Sequence, residues 1–118
     1  MTPVRQPTPS VTENDVERIV RRDYPANIVG EILELIATVT VREKPRVVLA
    51  CLKIASGNLD RLRTNLSCAS GYYRELLSEA EYPLATKRWS RIEYLPEDEV
   101  RAIYDKDWRQ YSDWLTRA

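Results

Sequence analysis

Residues 45–83 read PRVVLACLKIASGNLDRLRTNLSCASGYYRELLSEAEYP, and this stretch decides the fold of the chain. In its second half, one set of residues recurs alternately every three and four positions: Leu59, Leu62, Leu66, Ala69, Tyr73, Leu76 and Ala80. Spacing of this kind places the side chains on one stripe of an α-helix. It therefore predicts a long helix, with boundaries at residues 58–81.

The ends of this helix carry their own local signals. Gly57 can end a preceding helix, because glycine adopts positive φ without strain, and Asn58 is a favourable N-cap for the next helix. Pro83 disfavours a helical conformation at the residue before it. Inside the helix, Gly71 indicates a close helix crossing, a kink, or simply a surface glycine.

A second helix is predicted just before the break, at residues 45–56. Pro45 fits a first helical turn, where no backbone N–H donor is needed. The apolar residues of this segment cover more than one side of the helix, so we expect the most buried element of the fold here. They are Val47, Val48, Cys51, Leu52, Ile54 and Ala55. The two helices together form a helical hairpin.

Three more helices are predicted, at residues 12–24, 25–40 and 96–116. The first begins with Thr12 and Asp15 in a short capping box. The second ends in β-branched residues at 37–41, which could instead form a strand; without a partner strand, we expect a fraying helix end. Residues 83–95 lack a period, and we expect a loop, with one short turn as an alternative, that packs Trp89 and Tyr94 back onto the bundle.

These elements predict an all-α fold, a single-domain helical bundle of about five helices built around the central helical hairpin. We place this domain at residues 12–118. Residues 1–11 contain three prolines and no periodicity, and we expect them to form a disordered proline-rich arm. Arginines at positions 18, 21 and 22 are expected on the solvent-facing side of the first helix.

Composition excludes several function classes. The 118 residues contain 18 Lys and Arg and 18 Asp and Glu, so the formal net charge is zero. Binding to nucleic acid or to a membrane surface normally depends on a basic excess, and we expect neither. No apolar stretch approaches the roughly 20 residues of a membrane span, and the start of the chain lacks an apolar leader. We therefore expect a cytoplasmic protein.

Catalytic chemistry is poorly supported. The chain has no histidine, only three glycines, and no nucleotide-binding or nucleophile-elbow motif. We therefore expect no enzyme activity, no catalytic residue, no cofactor and no metal site. Cys51 and Cys68 are expected to be free thiols, with a disulfide between the hairpin helices as the alternative. Glu75 and Glu79 form a like-charge pair that we expect to be solvated.

The end of the long helix is the favoured binding surface. Its candidate residues are Tyr72, Arg74, Glu75, Glu81 and Tyr82, since Tyr and Arg are enriched where binding energy concentrates. The alternative is internal: Arg74 pairs with Glu81 or with a carboxylate of the last helix. A second candidate is the aromatic face of the last helix, which could bind a protein or mediate self-association through Trp108, Tyr111 and Trp114.

Several short motifs resemble a group of small uncharacterised bacterial helical proteins. They are Leu52-Lys53-Ile54-Ala55, Gly57-Asn58, Tyr73-Arg74-Glu75, Ala80-Glu81-Tyr82-Pro83 and the turn Arg22-Asp23-Tyr24-Pro25. The chain departs from the DYRD…AEYP-like pattern of that group at Gly71-Tyr72 and at Glu75, where the pattern has aspartate. The group has no known activity, so the resemblance implies a helical fold unit and no particular function.

Together these observations favour a non-enzymatic protein-binding module, adaptor or regulatory, of the bacterial cytoplasm. Two alternatives stay open. An immunity protein that neutralises a cognate toxin would present an acidic face, and the last third of the chain contains many acids. A small enzyme of unknown type would present a concave pocket with several convergent charged groups.

Overall fold

The computed structural model describes residues 7–118, and this part of the chain contains seven helices and no strand. The helices are α1 (Glu13–Asp23), α2 (Ala26–Ala37), α3 (Lys44–Ala55), α4 (Leu59–Glu81), α5 (Pro83–Lys87), α6 (Trp89–Ile92) and α7 (Glu97–Thr116). The predicted all-α fold is confirmed. The fold is elongated, with extents of 50 × 31 × 21 Å along its principal axes.

The central hairpin of α3 and α4 has the predicted construction. Every residue of the α4 stripe is buried or half-buried. Helix α3 buries seven of its 12 residues, a larger share than any other helix. Gly57 adopts a φ of +81° between the two helices. Asn58 caps α4 by accepting a hydrogen bond at 2.9 Å from the backbone N–H of Arg61. Most of the core therefore forms between two helices that are consecutive in the chain.

Helices α1 and α2 cover the hairpin, and their ends have local causes. The carboxylate of Asp15 accepts the backbone N–H of Thr12 at 2.9 Å, which confirms the capping pair at the start of α1. Helix α2 ends at Ala37, earlier than predicted, and its Leu35 carbonyl accepts the Thr38 hydroxyl at 2.7 Å. The strand alternative for residues 37–41 is wrong.

The segment 83–95 is not the predicted loop. It forms α5 and α6, which pack with α7 around a small second core of Ala85, Ile92 and Ile103. The prediction that its aromatic rings pack back onto the bundle is also wrong, because Trp89 is 63% exposed and Tyr94 is 79% exposed. The aliphatic side chains fill this small core instead and leave both rings in solvent.

Two arginines of α1 hold the end of α7. The Arg22 guanidinium donates hydrogen bonds to the carbonyls of Trp114 and Arg117 and lies 5.3 Å from the centroid of the Trp114 ring. Arg18 donates to the Leu115 carbonyl at 2.7 Å. The Trp114 and Leu115 carbonyls lie in the last turn of α7 and have no partner within that helix, so the arginine cations satisfy them and interact favourably with the helix dipole. Arg18 is exposed, as expected, although its guanidinium contacts α7, whereas the expectation that Arg22 faces solvent is wrong.

Helix α4 is kinked at Tyr72, whose φ and ψ of −127° and 26° are not helical. The kink follows the pair Ser70 and Gly71, a combination at which helices commonly bend. A Cβ atom added at Gly71 would meet nothing within 4 Å. The glycine therefore marks a kink, and the alternative of a close helix crossing is wrong.

Candidate functional site

The five predicted binding residues separate into two groups. Tyr72, Arg74 and Glu75 are exposed around the kink in α4. Glu81 is buried at the end of the same helix, and Tyr82, half-buried, follows it. The predicted residues therefore do not form one continuous surface, and each group has a different chemistry.

Glu81 belongs to the interior, with only 5% of its surface exposed. Its two carboxylate oxygens accept hydrogen bonds from Nε and Nη2 of Arg46 at 2.7 and 2.6 Å. The hydrogen bond with Glu81 raises the pKa of the Arg46 guanidinium, although burial acts in the opposite direction. The interpretation that Arg74 pairs with Glu81 is wrong, because the guanidinium of Arg46 on α3 occupies both oxygens.

A second buried carboxylate, Asp107 of α7, is 2% exposed and caps α5. It accepts the backbone N–H groups of Leu84 and Ala85 at 2.9 and 3.0 Å. Gln110, one turn further along α7, donates to the Ala80 carbonyl at 3.2 Å. Sequence reasoning missed this cap, since Asp107 lies 23 residues after Leu84 and no local pattern connects them.

Four aromatic side chains, Tyr82, Tyr104, Trp108 and Tyr111, line one cavity together with Glu81 and Asp107. We call these four rings the aromatic cradle. Pro7 and Pro9 of the predicted arm line the same cavity, and Pro9 is buried. The remaining free space is about 10 Å³, no more than one water needs. Pro9 therefore packs against the aromatic cradle, and the exposed Pro7 lies at its edge; residues 1–6 of the predicted arm lie outside the described residues.

Tyr111 lies deepest in the aromatic cradle, with 1% of its surface exposed. Burial, followed by the negative charge of Glu81, raises the pKa of its phenol. Its hydroxyl has no hydrogen-bond partner among the residues that the structure describes. A buried hydroxyl without a partner is costly, so this atom is a candidate contact for a ligand group.

The exposed group around the kink consists of Tyr72, Arg74 and Glu75, which we call the kink surface. The Tyr72 side chain is 61% exposed. Nε of Arg74 donates to the hydroxyl of Tyr73 at 3.2 Å, and its guanidinium carbon lies 5.7 Å from the centroid of that ring. The Arg74 cation is therefore held by the ring and the hydroxyl of Tyr73, which restrict its orientation.

The aromatic residues predicted for self-association do not form a shared outer surface. Tyr111 is buried, and Trp114 is half-buried against the main core, with its ring centroid 5.6 Å from that of Tyr111. Trp108 is 39% exposed. Of the three predicted residues, only Trp108 presents a substantial part of its ring to solvent, because the other two support the packing of α7 on the bundle.

The two cysteines are free thiols, and the disulfide alternative is wrong. Burial raises the pKa of the Cys51 thiol to about 12, which leaves it protonated and a poor nucleophile at neutral pH. Within residues 7–118, no three acidic or cysteine side chains converge as a metal site would require.

No protein-family model matches the chain, and neither a curated protein nor a solved structure is significantly similar to it. None of the helices described here combines the length and the apolar character needed to cross a membrane.

Proposed function

We propose that the chain is a non-enzymatic protein-binding module of the bacterial cytoplasm, adaptor or regulatory, and that its partner binds the kink surface. The observation that supports this proposal is the exposed ring of Tyr72 at a break in an otherwise continuous helix. Two arguments connect this observation with binding, one from the backbone and one from the side chains.

The backbone argument concerns why α4 bends at this position. The 23 residues of α4 include no proline, and an alanine side chain at Gly71 would find open space. The bend therefore arises neither from a proline nor from a close contact at Gly71. Glycine in place of alanine costs a helix about 1 kcal/mol, and residues outside the favoured φ/ψ regions cluster at functional sites. A role in presenting Tyr72 to a partner accounts for both features.

The side-chain argument concerns the chemistry of the kink surface. Tyrosine and arginine dominate the residues that carry binding energy at protein interfaces. Arg74 is oriented by Tyr73, so less side-chain freedom is lost when a partner binds than for an unrestrained arginine. Glu75 adds a negative charge beside it. This combination suits a protein surface that offers an aromatic or apolar contact together with a carboxylate.

The proposal is tested by site-specific photo-crosslinking in bacterial cells. A photoreactive phenylalanine analogue replaces Tyr72 in one variant and Tyr94 in a control variant; both tyrosines are exposed, but Tyr94 lies outside the kink surface. We expect one protein to crosslink from position 72 and not from position 94. Equal crosslinking from both positions would argue against a specific partner at the kink surface.

The crosslinked protein is then purified and titrated calorimetrically against the wild-type chain. We expect Tyr72→Ala and Arg74→Ala each to weaken binding by about tenfold or more, equivalent to about 1.4 kcal/mol. Tyr94→Ala serves as the matched control and leaves the dissociation constant unchanged. An unchanged dissociation constant in both kink-surface variants would overturn the proposal.

A further inference from the structure

The aromatic cradle is a second surface, and it shares no residue with the kink surface. A site lined by several aromatic rings with a buried proline is the usual arrangement of proteins that recognise proline-rich peptides. Here the proline is Pro9 of the chain itself, and Pro7 lines the same cavity. Residues 7–12 contain no helix or strand, and Pro9 biases Thr8 towards an extended conformation.

The charged groups of the cavity are already occupied. Glu81 accepts two hydrogen bonds from Arg46, and Asp107 accepts two from the backbone of α5. A cation or a basic side chain would therefore have to compete with existing partners for either carboxylate. What the aromatic cradle offers a ligand is flat apolar surface and phenol groups, and this composition fits proline rings and peptide carbonyls.

The arm does not satisfy every group of the aromatic cradle. The Tyr111 hydroxyl is buried and unpartnered among residues 7–118, even though Pro7 and Pro9 line the cavity. A peptide with a backbone carbonyl close to this hydroxyl would accept a hydrogen bond from it, and the arm segment 7–9 does not do so. An external peptide that supplies such a carbonyl would gain one contact that the arm segment 7–9 lacks.

We propose that the aromatic cradle is a binding site for extended, proline-containing peptides, and that Pro7 and Pro9 occupy it as an internal competitor. A short tethered segment acts at an effective concentration of about 1 mM. If the arm segment binds the free cradle with an intrinsic dissociation constant of about 100 μM, it weakens the apparent affinity for an external peptide about tenfold. Displacement of the arm is then coupled to binding of the external peptide.

The test uses a fluorescent synthetic peptide with the sequence of residues 1–11 and follows its anisotropy during titration with the full-length chain. A matched peptide carries alanine in place of both Pro7 and Pro9. We expect weak, saturable binding of the proline peptide to the wild-type chain and none of the alanine peptide. Binding to the chain variant Pro7→Ala/Pro9→Ala should be about tenfold tighter.

Three further variants identify where the peptide binds. Trp108→Ala should abolish peptide binding, whereas Trp89→Ala, which removes an exposed tryptophan outside the aromatic cradle, should leave it unchanged. Tyr72→Ala should also leave it unchanged, so that failure of this proposal and failure of the kink-surface proposal are distinguishable. Circular dichroism checks that each variant is folded; if the double proline variant is not, the wild-type and Trp108→Ala titrations still decide.

Three outcomes would overturn the proposal. The first is absence of proline-peptide binding to the wild-type chain and to every folded variant. The second is equal affinity for the proline peptide and the alanine peptide. The third is a concentration-dependent dimer, seen by light scattering, that Pro7→Ala/Pro9→Ala converts to a monomer, because the occupant would then be the arm of a second copy.

Discussion

Arg46 near the start of α3 and Glu81 at the end of α4 form a buried two-point ion pair, with N–O distances of 2.7 and 2.6 Å. The two residues are 35 positions apart, and the pair closes the open end of the helical hairpin. It also positions Tyr82 and the start of α5, because these follow Glu81 directly. The pair thus connects the most regular part of the fold with the aromatic cradle.

Glu81→Ala is expected to lower the free energy of unfolding by about 2 kcal/mol, because the half-buried Arg46 cation would lose its buried two-point partner and keep only the exposed carboxylate of Glu43, 3.3 Å away. Urea denaturation measures the change. The control is Glu17→Ala, which breaks the exposed pair between Glu17 and Arg21 and should cost no more than about 0.5 kcal/mol. If the two variants lost similar amounts of unfolding free energy, the buried pair would contribute no more to stability than the exposed one.

Asp107→Ala is expected to destabilise the fold by about 2 kcal/mol, since the N–H groups of Leu84 and Ala85 lose their acceptor. Asp107→Asn keeps one oxygen and should recover part of the loss. Asp105→Ala, an exposed acid on the same helix, serves as the control in urea denaturation, with a change within about 0.5 kcal/mol. An Asp107→Ala variant as stable as this control would contradict the cap.

The glycines at 71 and 57 should respond to alanine in opposite directions. Gly71→Ala is expected to stabilise the fold by about 0.5–1 kcal/mol, because the new methyl group meets no atom and alanine favours helix. Gly57→Ala is expected to cost at least about 1 kcal/mol, since φ is +81° and the Cβ atom would lie 3.3 Å from the Asp23 carbonyl oxygen. Thermal unfolding of both variants measures the signs; two shifts in the same direction would contradict this account.

Tyr24→Phe tests the alkaline stability of the fold. Burial, followed by the charge of Asp23, raises the pKa of Tyr24 to about 12 from 10.0. Between these values the folded chain keeps a proton that the unfolded chain releases, so the contribution of Tyr24 to stability falls as pH rises. The slope is up to about 1.4 kcal/mol per pH unit. Tyr24→Phe should remove this part of the pH dependence.

At neutral pH the same variant should unfold at equal or slightly higher urea concentration. The Tyr24 hydroxyl is buried with no hydrogen-bond partner in the described part of the chain. Removing it breaks no hydrogen bond, so we expect the free energy of unfolding to rise by up to about 1 kcal/mol. Tyr94→Phe, at an exposed position, is the control for both pH ranges. A Tyr24→Phe variant that is markedly less stable at neutral pH would show that the hydroxyl has a partner in solution.

Local patterns in the sequence determined most of the helical fold. The stripe from Leu59 to Ala80, the cap at Asn58 and the positive φ at Gly57 act over three or four residues, which is the distance over which helix signals operate. Residues 83–95 escaped prediction for the same reason. Their helices are too short to show a period, and α5 begins at an acceptor supplied by Asp107 of α7.

Only the tertiary structure decided which polar and aromatic groups face inwards. Glu81 belonged to the predicted binding surface in the sequence, yet Arg46 draws it into the interior through an ion pair that spans 35 positions. Tyr82 and Pro9 line one cavity although they are far apart in the sequence, so their proximity also depends on the tertiary structure. Periodicity specifies the face of a helix but not the element that lies against that face. The sequence alone therefore determined the five longer helices, because their signals act over three or four residues. Long-range packing decided the two short helices and divided the candidate site into a kink surface and an aromatic cradle.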